Sequence, residues 1–218
     1  MAKNKNRNDP ASPEKVYITL GGESETEYIE KKSVFYGSAR RITDVGQAAD
    51  FIRKVTEKYP DATHHVYAYQ IGGGSAERCS DDGEPQGTSG PPVLDYIKKS
   101  GFTDAVIVVT RYFGGILLGA GGLTRAYTAA AAKAAEAAGI VRFVEYAELR
   151  AKMSYSDYGR VEKLLSDIGA KIDGVSYGDG VECRFAVRAP EKDLTVARIT
   201  DLTAARAAVE VTGSRFDS

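Results

Sequence analysis

Arg111-Tyr-Phe-Gly-Gly-Ile-Leu-Leu-Gly-Ala-Gly-Gly-Leu-Thr-Arg-Ala-Tyr127 is the stretch from which the rest of the chain can be read. Just before it, residues 105–109 form a continuous apolar run that predicts a buried strand. Just after, residues 123–138 are rich in alanine and predict a helix closed by Gly139. The stretch is therefore a strand-to-helix crossing built on Gly114, Gly115, Gly119, Gly121 and Gly122. The free N–H groups at a helix start favour an anion. Arg111 and Arg125 bracket the crossing with fork-shaped donors suited to carboxylate or phosphate. The expectation is an anion-facing surface with both guanidinium groups turned outward. The plainer reading is a tight turn packed under a sheet.

Working outward, 218 residues allow one large or two small domains. A hydrophobic content of 43% excludes a disordered chain. Lys and Arg total 29 against 30 acidic residues, a net charge of −1, so any nucleic-acid site must be a local patch. No apolar run is long enough to span a membrane. Residues 1–13 are polar and basic without an apolar centre, which predicts a solvated tail rather than a signal peptide, and a cytoplasmic protein. Cys79 and Cys183 are far apart and form no Cys-x-x-Cys, against a disulfide framework or zinc ribbon.

Toward the N-terminus the pattern predicts strands at 16–20 and 26–42, the latter with a turn near Lys31-Lys32-Ser33. A helix capped by Asp44 runs to Lys58, with Val45, Ala48, Ile52, Val55 and Tyr59 inward. A strand follows at 64–71. Residues 72–90 read as one long loop, and loops of that length inside a compact domain are usually functional or disordered. Ser89 caps the next helix, with Pro91 and Pro92 in its first turn.

Toward the C-terminus, strands are expected at 140–144 and 146–153, then a helix capped by Asp157, a strand at 172–177 and a Gly178-Asp179-Gly180 hairpin. A returning strand, a helix from Pro190 and a strand at 207–212 complete a β-α-β-β-α-β order, the split βαβ or ferredoxin-like arrangement. The fold class is thus α+β in two domains: a tail and first strand at 1–24, a first domain at 25–145 and a ferredoxin-like domain at 146–218.

Three carboxylates, Asp81, Asp82 and Glu84, share the long loop. Close carboxylates raise one another's pKa or share a cation, and can act in acid–base chemistry. The EF-hand spacing that would mark a metal site is absent, and pairing with Arg111 or Arg125 is favoured because it would pin the loop to the crossing. His64 and His65 are adjacent on a strand and point to opposite faces, so they cannot chelate one metal together. Nothing local activates Cys79, and Ser80, Thr88 and Ser89 lie in no Gly-x-Ser-x-Gly elbow. No Gly-Lys-Ser/Thr follows the glycines, so the crossing is not a P-loop. Of the aromatics beside the arginines, which could stack on single-stranded RNA, Phe113 is expected to be buried and Tyr112 not.

The two motifs, Ser80-Asp-Asp-Gly-Glu-Pro-Gln-Gly-Thr-Ser-Gly-Pro91 and Val109-Thr-Arg-Tyr-Phe-Gly-Gly-Ile-Leu-Leu-Gly-Ala-Gly-Gly-Leu-Thr-Arg-Ala-Tyr127, resemble those of the IMPACT family and its bacterial YigZ group. The resemblance runs from about Glu25 through the second domain. It implies a ribosomal-protein-S5 domain-2-like first domain and a second domain like the last domain of elongation factor G. It also implies a role in translation, with RNA, the ribosome or a protein of the translation machinery as partner; the residues themselves lead us to expect no membrane association and no cofactor. Carried over by motif, Asp81, Asp82, Glu84, Arg111, Tyr112, Gly114, Gly115, Gly122 and Arg125 are the shared surface, to which Gly121, Thr88 and His64 are added by position. Ser33-Val34-Phe35 departs from the usual Ser-Arg-Phe and removes one basic group. The eukaryotic extension before this domain has no counterpart here, so the kinase-control role of eukaryotic relatives is not expected to transfer. The resulting expectation is a non-enzymatic binding protein of translation. The alternative is a phosphate- or nucleotide-binding enzyme or sensor using Asp81, Asp82 and Glu84 with a divalent cation. Oligomeric state stays open.

Overall fold

A computed structural model describes residues 15–218, and the expected tail lies outside the described residues. The described residues divide into two compact units, residues 17–142 and residues 143–218 with Lys15 and Val16. The α+β expectation holds.

In the first unit, β1 (Val16–Leu20) precedes a hairpin of β2 (Glu23–Glu30) and β3 (Ser33–Arg41). Lys31 and Lys32 form the expected turn of that hairpin, with φ of 45° and 67°. Helix α1 (Val45–Lys58) begins where Asp44 Oδ1 accepts the Gln47 N–H at 2.9 Å while Gln47 Oε1 accepts the Thr43 N–H at 3.0 Å. These bonds satisfy donors the helix cannot reach itself. Its buried residues are Ala48, Phe51 and Val55. Val45, expected inward, is 49% exposed, and Phe51 is buried instead.

Then follow β4 (His64–Ile71), β5 (Ala76–Ser80), α2 (Gly90–Lys99), β6 (Ala105–Tyr112) and α3 (Ala120–Ala137). The expected long loop is therefore interrupted. Gly72–Gly74 form a single 3-10 turn and β5 folds back antiparallel on β4, leaving residues 81–89 as the connection. The turn is held from outside, with Asp104 Oδ1 accepting the Gly72 N–H at 2.8 Å and Thr103 Oγ1 that of Gly73 at 2.7 Å.

The sheet has the order β2-β3-β6-β4-β5. Its central strand β6 explains the apolar run. Ala105, Ile107 and Val109 pack with α2 and α3, while Val106 and Val108 pack with α1 on the other face. Alternate residues of a strand face opposite ways, so a strand covered on both sides must be apolar throughout. The alanines of α3 have a matching cause. A Cβ built on Gly37 of β3 would lie 2.5 Å from the Ala130 carbonyl oxygen, so helix and strand touch backbone to backbone.

In the second unit, strands 140–144 and 146–153 of the sequence reading are one strand, β7 (Ile140–Met153), which crosses the division between units. It is followed by α4 (Tyr155–Asp167), β8 (Lys171–Tyr177), β9 (Val181–Arg188), α5 (Lys192–Leu202) and β10 (Ala208–Asp217). Pairing gives β10-β7-β9-β8, all antiparallel, the order of a ferredoxin-like domain. One face carries Leu149, Ala151, Cys183 and Phe185 against Val161, Leu165 and Ile199 of the helices.

Asp157 does not cap α4. Ser154 does, its Oγ accepting the Asp157 N–H at 3.2 Å. Asp157 is fully buried and takes two bonds from Arg206, at 3.1 and 2.8 Å, one from Ser154 and one from Arg160. Arg206, with these neighbours, holds the carboxyl down to about 2.

Two outcomes follow from this packing. Gly37→Ala should lower stability by about 1–3 kcal/mol, read as a shifted urea midpoint, because the added methyl overpacks a closed contact. A folded-state pKa below the unfolded value near 4 stabilises above that pH and ceases to do so as pH falls toward 2. The melting temperatures of wild type and Asp157→Asn should therefore differ at pH 7 and converge as pH drops from about 4 to about 2.

Candidate functional site

The connection 81–89 is stitched down before it delivers any side chain to a site. Asp81 Oδ1 accepts the N–H groups of Ser89 at 3.0 Å and Gly90 at 2.8 Å, and Oδ2 that of Gly87 at 2.8 Å. Asp81, not the expected Ser89 hydroxyl, thus satisfies the open start of α2. Asp82 Oδ2 accepts the His65 N–H at 2.5 Å, and the Asp82 carbonyl lies 2.7 Å from His64 Nδ1. A carbonyl only accepts, so His64 Nδ1 carries its proton and Nε2 is left facing Glu84. Thr88 donates to the Pro85 carbonyl at 2.6 Å, and Thr124 of α3 donates to the Thr88 carbonyl at 3.2 Å.

Held this way, the loop drives Glu84 inward. Glu84 Oε1 accepts from Arg111 Nη1 at 2.5 Å and from the Tyr127 hydroxyl at 2.7 Å, with His64 Nε2 at 3.9 Å. Glu84 and Arg111 are 7% and 5% exposed. Arg111 Nη2 donates to Ser33 Oγ at 3.3 Å, and its guanidinium lies 5.4 Å from the Phe35 ring and 5.5 Å from the Phe113 ring. Burial and then the bond to Glu84 raise the Tyr127 hydroxyl far above its ordinary value, so it stays a donor.

This arrangement corrects the sequence reading in several places. Arg111 is not turned outward. Its charge is neutralised by Glu84, the one carboxylate of the three to reach an arginine. Asp81, Asp82 and Glu84 do not converge on a point, and among the described residues no group of three His, Cys, Asp or Glu side chains could hold a metal ion. Phe113 is 46% exposed, not buried, because it stacks over Arg111 from the solvent side. Tyr112 lies on the opposite sheet face from Arg111. It meets Tyr36 and Tyr59 edge to face and donates to Asp61 at 2.7 Å, a bond that pushes it up to about 12.

The glycine crossing keeps part of its expected role. A Cβ at Gly114 would fall 2.0 Å from the Lys32 carbonyl carbon, so the chain passes there only without a side chain. Gly115 and Gly119 adopt φ of 80° and 70°. Gly121 and Gly122 lie in the first turn of α3, which no side chain caps. Arg125 is exposed and makes no ion pair among the described residues. Between the two glycine turns, Ile116 and Leu117 are 41% and 84% exposed. These two, together with Ser33 and Pro85, are not among the site residues expected from the sequence. The apolar pair inside a glycine-rich loop was the available signal, whereas nothing at the level of spacing links Ser33 to Arg111.

Cys79 is half-buried, and burial followed by Asp81 raises its thiol, so the structure supplies no thiolate. Burial also lowers His65, whose Nδ1 lies 3.1 Å from the Thr110 hydroxyl on the other sheet face.

Fold and site together define a two-domain α+β protein whose loop and helix start stand on a buried ion pair. The Impact N-terminal domain family matches residues 31–135, and a domain of unknown function, DUF1949, matches residues 152–206. The chain is 34% identical over 188 residues to the IMPACT family member YvyE of Bacillus subtilis, covering 86% of this chain and 87% of that one. It is 34% identical over 176 residues to the IMPACT family member YigZ of Escherichia coli, covering 79% and 86%. A crystal structure described as that of a hypothetical protein aligns with a TM-score of 0.56 at 30% identity, over 90% of this chain and 97% of that one. The protein belongs to the IMPACT family.

Removing one partner of a buried pair leaves the other charge without compensation. Glu84→Gln should therefore cost about 3–5 kcal/mol. Tyr127→Phe, which removes one hydrogen bond and keeps the ring, should cost about 1 kcal/mol. Urea unfolding of the two variants checks the order, and equal losses would contradict the assignment of Glu84 as the central group.

Proposed function

We infer that this protein is a non-enzymatic binding protein of the translation apparatus, and that residues 113–119 with the start of α3 are its docking element. The observation that carries the reading is the exposure of Phe113, Ile116 and Leu117 on one short loop beside exposed Arg125 and the uncapped helix start. Apolar side chains grouped on a rigid, solvent-facing loop are the usual mark of an interaction surface. The positive end of the α3 dipole and Arg125 give it a preference for a negative partner. Translation comes from family membership, which is an argument by analogy.

Of the partners the resemblance implies, an acidic protein face is favoured over RNA. With Arg111 neutralised by Glu84, few cations remain at the loop for phosphates, while three apolar side chains ask for an apolar counterpart. The enzyme or sensor alternative loses its support, because the carboxylates meant to hold a cation are spent on backbone N–H groups and on Arg111.

The test is ribosome co-sedimentation and pull-down of translation proteins with wild type and with Leu117→Asp plus Arg125→Glu. Both substitutions are at exposed positions and should leave the urea midpoint unchanged. Retention should fall about tenfold in the double variant. A steep loss of binding with salt would identify RNA phosphate as the contact. Retention equal to wild type overturns the reading.

A further inference from the structure

Beside the docking loop a cavity of about 430 Å³ opens between the connection 81–89 and the start of α3. One wall is apolar, formed by Pro85, Phe113, Leu117, Leu118 and Leu123. The other carries Glu84, Arg111 and His64, with Gly119 and Ala120 at the rim. All three polar contacts to Glu84 fall on Oε1, and Oε2 accepts no hydrogen bond from any described residue. Arg111 Nε is buried and also has no partner. Glu84, a side chain more than nine-tenths buried, therefore brings to this wall one unused acceptor, while Arg111 Nε stays sealed behind it. A second unused set lies at the rim, the N–H groups of the uncapped first turn of an 18-residue helix.

Net charge narrows what fits. Glu84 and Arg111 cancel, and the helix start adds a partial positive charge. The cavity thus takes one negative group at the helix start, one hydrogen-bond donor at Glu84 Oε2 and an aliphatic body against the leucines. We propose that it binds an aliphatic amino-acid-type carboxylate end, in which the carbon next to the carboxylate bears an N–H donor and an apolar side chain. A free apolar amino acid and the last residue of a peptide chain share that chemistry. The proposal deepens the reading of the same loop as a docking element, and the peptide source would make the partner's C-terminus the part recognised. The second unit holds a cavity of about 600 Å³ between α4 and α5, but Arg160, Lys163, Asp167, Arg198 and Asp201 line it and none of them has a buried unpartnered atom.

The experiment is calorimetric titration of the full-length protein with four probes: L-leucine, N-acetyl-alanyl-leucine, its C-terminal amide, and 4-methylpentanoate. The amide lacks the carboxylate and the last probe lacks the N–H donor. At least one of the first two should bind, and the amide and 4-methylpentanoate should each bind about tenfold more weakly. Binding of L-leucine identifies the free amino acid as the source; binding of the acetylated dipeptide alone identifies a chain end. Ala120→Asp places a carboxylate at an exposed position of the first turn, where the helix tolerates it, and should weaken binding about tenfold. Equal binding of acid and amide, no effect of Ala120→Asp, or no heat from any probe at about 5 mM overturns the proposal. Partner retention that survives in Ala120→Asp while no probe binds would sink this inference alone and leave the docking reading standing.

Discussion

A single buried carboxylate oxygen, Glu84 Oε1, organises the first unit. It accepts from β6 through Arg111 and from α3 through Tyr127, and it belongs to the loop after β5. Three segments separated in sequence are thereby fixed to one atom. The arrangement tolerates little variation, because each member left alone would be a charge or hydroxyl removed from water without compensation. The phenyl rings of Phe35 and Phe113 lie within 5.5 Å of the Arg111 guanidinium and add cation–π contact to its hydrogen bonds.

What this support carries is a loop with the opposite character. Residues 113–119 turn at Gly115 and Gly119 and present Phe113, Ile116 and Leu117 to solvent. Phe113 belongs to both layers, one face on Arg111 and its edge in water. A loop on so fixed a base would cost little to order on contact with a partner. The second unit repeats the device in another form. Asp157 collects donors from Ser154, Arg160 and Arg206 and ties the start of α4 to the segment after α5. In each unit a buried acid joins elements that the sheet ladder does not join.

Much of this was legible in residue order. The alternation of β9 and the helical spacing of α1 and α4 follow from which face must be apolar. The run 105–109 announced a strand covered on both sides. Asp44 could be read as a cap because capping is local, acting over three residues. Asp157 misled for the same reason. A Ser at 154 and an Asp at 157 both suit a helix start, and only the bonds from Arg206, 49 residues away, show that Asp157 serves another purpose. The strand β5 was hidden because its sequence, Ala76-Glu-Arg-Cys-Ser80, is too polar to signal burial, and its burial is indeed only partial.

Residue order alone sufficed for most of the elements, though not β5 or the continuity of β7, and for the two-domain α+β class and the family, since local propensity, periodicity and long motifs are properties of neighbouring residues. Only the tertiary structure decided which of three adjacent carboxylates meets an arginine, and which of two arginines remains free to meet a partner. That choice depends on the path of a loop whose anchors lie on β4, α2 and α3, and on pairings 27 and 43 residues apart. Spacing along a strand tells which face a side chain takes; it does not tell what waits there.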